Sequence, residues 1–281
     1  MNCFTAIHSP RNLSMQKQSI VSKVLQILCM DRSISENEAA IPLGRDGAYF
    51  THDFAPRDLR LAVPSRKRWP NGYELKCTFL GGSELQRKLV QTHASIWEQC
   101  ANIRFLFGTY EDAEIRISFL QGSGSWSAVG TDALNKSYFP KSTATMNFGW
   151  LSADTDEKEC RRVVLHEFGH ALGAIHEHQQ PDASLSWNEP LAFRVFSGPP
   201  NHWTREQIRL NIFERYSRGQ INWSKFDPDS IMLYYFPPEL FLGGKGTRLN
   251  QELSDLDRVF IGELYPRRSS IASSPSETES S

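Results

Sequence analysis

Cysteine is scarce in this 281-residue chain: Cys3, Cys29, Cys77, Cys100 and Cys160 are scattered and odd in number. No two of them form a C-x-x-C pair, and an odd count leaves at least one thiol outside any intrachain disulfide. Cys77, Cys100 and Cys160 fall on apolar positions of predicted elements and read as buried thiols. Charge of one sign is also lacking. Lys and Arg total 31 against 32 Asp and Glu, a formal net charge of −1. Nothing therefore argues for nucleic acid or an anionic membrane as partner. No apolar run approaches the roughly 20 residues that a membrane span needs. Ser19 to Met30 is broken by Lys23 and Gln26, starts late and has no small-residue cleavage site. It reads as an amphipathic helix beginning near Lys17, not as a signal peptide. No internal repeat is visible. The remaining composition, 40% hydrophobic and 22% charged, is that of a globular protein of one or two domains.

Histidine is where the chain is concentrated. Four of its eight histidines lie between His166 and His178, inside Val163-Val164-Leu165-His166-Glu167-Phe168-Gly169-His170-Ala171-Leu172-Gly173-Ala174-Ile175-His176-Glu177-His178. A spacing of four puts His166 and His170 on one helix face, one turn apart. Two neutral imidazoles there can reach one zinc ion at about 2.0–2.1 Å. Glu167 is rotated by about 100° from His166, beside the metal but not on it, where it can act on metal-bound water. Were the helix to continue, His176 would turn about 120° away from His170 and rise about 9 Å. Gly173 resolves this, because glycine tolerates the left-handed backbone that ends a helix. The chain can then return His176 as a third ligand. Three protein ligands leave one position open for water, as in a catalytic zinc site. A structural zinc site is normally four-coordinate and rich in cysteine, and this stretch has none.

The pattern H-E-x-x-H-x-x-G-x-x-H resembles the zinc signature of the metzincin metallopeptidases. Glu177 directly after the third histidine makes it most similar to the astacin branch. Ser230-Ile231-Met232-Leu233-Tyr234 matches the family's S-x-M-x-Y Met-turn, and Trp69-Pro70-Asn71-Gly72 resembles the opening of astacin-like catalytic domains. The resemblance spans about 200 residues, roughly Arg68 to Pro266. It implies an α+β, zincin-like fold with a twisted mixed sheet, a long zinc-binding helix, a C-terminal helix and an irregular lower part holding the Met-turn. It further implies one zinc per chain on His166, His170 and His176, and a protein or peptide substrate. Glu167 becomes the general base, Tyr234 a mobile ligand or donor to the oxyanion, and Met232 a side chain packed under the imidazoles. The family binds substrate as an added strand, and Trp126, Ser127, Ala128 and Val129 are the candidate edge. The alternative is a non-catalytic module that binds protein or peptide on the same zinc scaffold.

Along the chain, residues 1–65 read as an N-terminal extension, a possible pro-segment in which Gly44-Arg45-Asp46 loosely echoes a family motif. Arg66-Lys67-Arg68 reads as a solvated face or a processing site. Residues 66–266 form the catalytic domain, and 267–281 a disordered Ser-rich tail. Strands are expected over Tyr73–Phe79, at Ile103, Phe105 and Phe107, at Ile115, Ile117 and Phe119, and over Thr143–Phe148. A helix capped by Ser83 has Leu85, Leu89, Ile96, Trp97 and Cys100 on its apolar face. The zinc helix follows Asp154 or Asp156, with Cys160, Val164, Phe168 and Leu172 toward the core. Beyond His176 the prolines predict irregular chain, with a helix over Trp203–Tyr216. Ser254 with Asp257 boxes a terminal helix carrying Leu256, Phe260 and Leu264.

Overall fold

A computed structural model describes residues 30–32, 63–198, 202–217, 221–222 and 225–267. The Gly44-Arg45-Asp46 echo, Cys3, Cys29 and nearly all of the Ser-rich tail lie outside them. So does the helix expected from Lys17, except for Met30, which is in a strand.

In chain order the elements are β1 (Met30–Arg32), β2 (Val63–Pro64), β3 (Glu74–Phe79), α1 (Glu84–Glu98), β4 (Arg104–Phe107), β5 (Ile115–Ser118), β6 (Trp126–Ala128) and β7 (Met146–Asn147). Then follow α2 (Glu157–Ala171), α3 (Glu189–Ser197), the short α4 (Arg205–Ile208), β8 (Ile221–Asn222) and α5 (Asp255–Leu264). One mixed sheet runs β1-β6-β7-β5-β3-β4. The pairs β3–β4, β3–β5 and β5–β7 are parallel, and β6–β7 is antiparallel. A second, two-stranded sheet pairs β2 with β8. Parallel neighbours need crossovers, and α1 supplies the one between β3 and β4.

Both long helices start as their caps dictate. Ser83 accepts from the Gln86 amide while the Gln86 side chain accepts from the Ser83 amide. Asp156 accepts from the amides of Lys158 and Glu159 at the head of α2. The two helices pack against each other beneath the sheet. Trp97 of α1 is fully buried and donates its indole N–H to the Leu165 carbonyl of α2 at 3.0 Å. Phe168 meets Phe105 of β4 edge to face, centroids 4.8 Å apart. Cys160, Val164, Phe168 and Leu172 are all buried, as their spacing predicts. Cys77 and Cys160 are buried free thiols, and Cys100 is half-buried.

Four expectations are corrected. Trp97 of the expected face of α1 is fully buried and Leu89, Ile96 and Cys100 pack half-buried on the core, but Leu85 is exposed and the fully buried strip also takes Val90, His93 and Ala94. The partner helix selects a strip that admits His93, which the hydrophobic pattern had no reason to include. The strand expected over Thr143–Phe148 narrows to Met146–Asn147, because Thr143 closes a turn onto the Pro140 carbonyl. The helix expected over Trp203–Tyr216 is helical only at Arg205–Ile208 and passes into a π-helical turn at Arg209–Phe213. The chain beyond His176 is also less irregular than its prolines suggest. Pro190 lies in the first turn of α3, where its missing N–H costs nothing, and Asn188 caps that helix.

Candidate active site

The site is built at the C-terminal end of α2. His166 and His170 project from one face of the helix, and both are buried. The helix stops as glycine allows. Gly173 takes φ +101°, its amide donates to the His170 carbonyl, and the Ala174 amide donates back to the Gly169 carbonyl. These are the two bonds of a Schellman turn. The orphan carbonyls beyond them are satisfied from outside. Ala171 receives the Trp69 indole N–H at 2.7 Å and Leu172 the Tyr265 hydroxyl at 2.8 Å. His176 then returns on an extended residue ahead of a single 3-10 turn, Glu177–Gln179.

Each imidazole is oriented through its Nδ1. His166 Nδ1 lies 2.8 Å from the Ile231 carbonyl, and His170 Nδ1 lies 2.8 Å from the Ala174 carbonyl. His176 Nδ1 lies 3.3 Å from Gln179 Oε1. All three partners are acceptors, so all three Nδ1 atoms carry the proton and every Nε2 keeps its lone pair. Those lone pairs converge: His170 Nε2 is 3.1 Å from His166 Nε2 and 3.0 Å from His176 Nε2. Three such lone pairs repel unless a Lewis acid sits among them. Tetrahedral zinc with bonds of about 2.0–2.1 Å sets its nitrogen ligands roughly 3.3 Å apart, so the donor set fits that ion. Burial pushes the His170 pKa down to about 4 and those of His166 and His176 well below the ordinary value. The imidazoles are therefore neutral and ready to ligate. Among the described residues, this is the one group of His, Cys, Asp or Glu side chains able to hold a metal.

The Met-turn lies directly beneath. Met232 is fully buried, and a Cβ placed on Gly169 would come within 2.4 Å of its sulfur. Glycine at 169 is what lets the turn approach the helix. Asp257 of α5 fixes the turn, accepting from the Ser230 hydroxyl at 2.7 Å, the Ile231 amide at 2.8 Å and the Ser254 amide at 3.0 Å. Burial raises its pKa to about 6 despite those donors. Asp257 thus braces the residue, Ile231, whose carbonyl orients His166. Tyr234 stacks on the ligands, with ring centroids 4.1 Å from His176 and 5.5 Å from His166. Glu167 is fully buried next to His166.

Sequence and structure comparisons point the same way. A family model described as matrixin (Peptidase_M10) matches residues 69–188. A solved structure of myroilysin is 39% identical and aligns over 74% of this chain and 100% of that one, with a TM-score of 0.71. The chain belongs to the metzincin zinc metalloproteases. Curated relatives of this metzincin include the astacin-like metalloendopeptidase of Mus musculus, 26% identical over 215 residues. Another is the zinc metalloproteinase nas-37 of Caenorhabditis elegans, 27% identical over 191 residues. The matches cover 73% and 67% of this chain but only 45% and 23% of those proteins, so it spans less than half of either. Its cofactor is zinc, with His166, His170 and His176 as the group able to hold it.

Of the other residues singled out from the sequence, Met232, Tyr234 and Glu167 are brought to the metzincin centre. Trp126, Ser127 and Ala128 form β6, and they and Val129 are buried. Val129 packs on Ile175. The outer edge of β6 is not open: β1 lies along it in parallel, Met30 opposite Trp126 and Arg32 opposite Ala128. Lys67 also departs from expectation. It is buried, and its ammonium is 2.7 Å from the Asp132 carboxylate, so the middle of the basic triplet is no solvated face. Sequence reasoning missed Gln179, Asp257 as a brace and Gly169. Gly169 lies inside the motif at a variable position, and the other two carry no local signal.

Proposed function

We propose that this chain hydrolyses internal peptide bonds as a zinc-dependent endopeptidase, with Glu167 as general base and Tyr234 as an oxyanion donor. The observation that carries the reading is the convergence of the three Nε2 atoms with Glu167 and Tyr234 beside them. When bound, zinc supplies Lewis acidity that polarises the scissile carbonyl and acidifies water. The protein's own part is positional. Glu167 follows His166 in the helix and is held in a water-poor pocket, where its carboxylate takes the proton of the attacking water and hands it to the departing amine. The Tyr234 hydroxyl donates to the oxygen on which charge develops. The β6 edge takes the extended substrate by main-chain pairing once β1 leaves it. That this chain's own β1 already lies on that edge supports the strand-addition reading. It equally supports reading residues 1–65 as a segment that covers the cleft of a catalytic domain running over residues 66–266.

The test is casein cleavage by the purified chain, with and without a chelator and after zinc is restored. Activity should vanish and return. Glu167→Ala should keep its zinc and its fold yet lose activity by several orders of magnitude, since no base remains for the water. Near-parental cleavage by that variant would sink the mechanism.

A further inference from the structure

The first two zinc histidines are oriented by carbonyls that belong to the signature and the Met-turn. The third is oriented by a side chain, and that side chain is itself held by an unusual element. Gln179 Oε1 faces His176 Nδ1 at 3.3 Å, while Gln179 Nε2 donates to the Leu210 carbonyl at 2.8 Å. Next to it, His178 Nε2 donates to the Asn211 carbonyl at 2.9 Å. The Tyr216 amide donates to the Gln179 carbonyl at 2.9 Å. Leu210 and Asn211 lie in the π-helical turn Arg209–Phe213. A π turn shifts the backbone bonding pattern from i−4 to i−5 and recurs at functional sites. Here two successive carbonyls of the turn accept side-chain donors from the strip that carries the third ligand. The donor role toward Leu210 fixes which way the amide points, so its oxygen, not its nitrogen, meets His176.

We propose that Gln179 is a positioning residue of the zinc site, clamped between the π-helical turn and His176, and that it sets the tautomer and direction of the third ligand. The inference rests on the zinc reading above. Partners of this kind typically contribute 10- to 100-fold in metal affinity. Gln179→Leu keeps the volume and removes both bonds. Gln179→Glu keeps an acceptor for His176 Nδ1 but sets a carboxylate oxygen against the Leu210 carbonyl in place of the donor.

The experiment measures zinc affinity of the full chain by competition with a chromophoric chelator, for the parent, Gln179→Leu, Gln179→Glu and His170→Ala. Gln179→Leu should bind zinc about 10- to 100-fold more weakly. Gln179→Glu should stay within about threefold of the parent, while its melting temperature falls for want of the Leu210 bond. That rescue separates orientation of the ligand from general loosening of the turn. Parental affinity in Gln179→Leu, or equal weakening in both Gln179 variants, overturns the assignment. If instead the parent holds no zinc, or His170→Ala holds it as tightly as the parent, the zinc reading itself fails.

Discussion

At the scale of single residues, the centre divides into groups that hold the metal and groups that act on substrate, and kinetics can separate them. On the proposed mechanism Tyr234 belongs to the second kind. Its ring is pinned against His176 and His166, so Tyr234→Phe keeps the packing and removes only a hydroxyl. A donor that acts mainly in the transition state affects kcat more than KM. Loss of one oxyanion donor typically costs about 100- to 1,000-fold in kcat. Steady-state kinetics on Tyr234→Phe should show that fall, with zinc content and melting temperature nearly unchanged. Tyr235, half-buried one residue on, is the control, and its Phe variant should match the parent. A crippled Tyr235→Phe beside an active Tyr234→Phe would shift the register of the Met-turn by one residue.

At the scale of elements, what was legible in the sequence is what local chemistry decides. The zinc helix could be read because its cap, its apolar face and its glycine stop all lie within it. The terminal helix could be read because Ser254 and Asp257 box its start, and they do. The reach of Asp257 to the Met-turn could not be read, since Ser230 and Ile231 lie more than twenty residues upstream. The prolines between His176 and the Met-turn predict irregular chain, yet Pro190 opens a helix, because proline in a first turn breaks nothing. Gly169 is the sharpest case, since its reason is a sulfur from another element. Alanine at 169 gains about 1 kcal/mol of helix propensity. It also forces a methyl against Met232 Sδ and Trp97, overpacking that typically costs about 1–3 kcal/mol. Gly169→Ala should therefore be net destabilised in urea unfolding. Met232→Ala is destabilising by itself, but the double variant should lose about 0.5–3 kcal/mol less than the sum of the two. Strict additivity would mean that the two residues do not meet.

At the scale of the whole molecule, the site is a buried polar island, and its acid response follows from the signs of its shifts. His166, His170, His176 and His178 all have pKa values lowered by burial, those of His170 and His178 to about 4. The fold keeps them neutral. The unfolded chain protonates them below about pH 6.5, so each takes away about 1.4 kcal/mol per pH unit below that point. Glu177 and Asp257 act in the opposite sense. Burial raises both, Asp257 to about 6, so between that value and the unfolded carboxylate range the fold takes up protons that the unfolded chain does not. Four against two leaves a net two groups, about 3 kcal/mol per pH unit between roughly pH 6 and pH 4. Against a typical total of 5–15 kcal/mol, two pH units of that slope remove a large part of the stability of the chelated protein. Zinc at about 1,000 times its Kd adds about 4 kcal/mol to the folded state. It should therefore move the acid midpoint down by about one to two pH units. Circular dichroism across pH 7 to 4, in chelator and in zinc, measures that displacement directly. Coincident curves would mean that the three histidines bind no zinc in the folded chain, whatever their geometry.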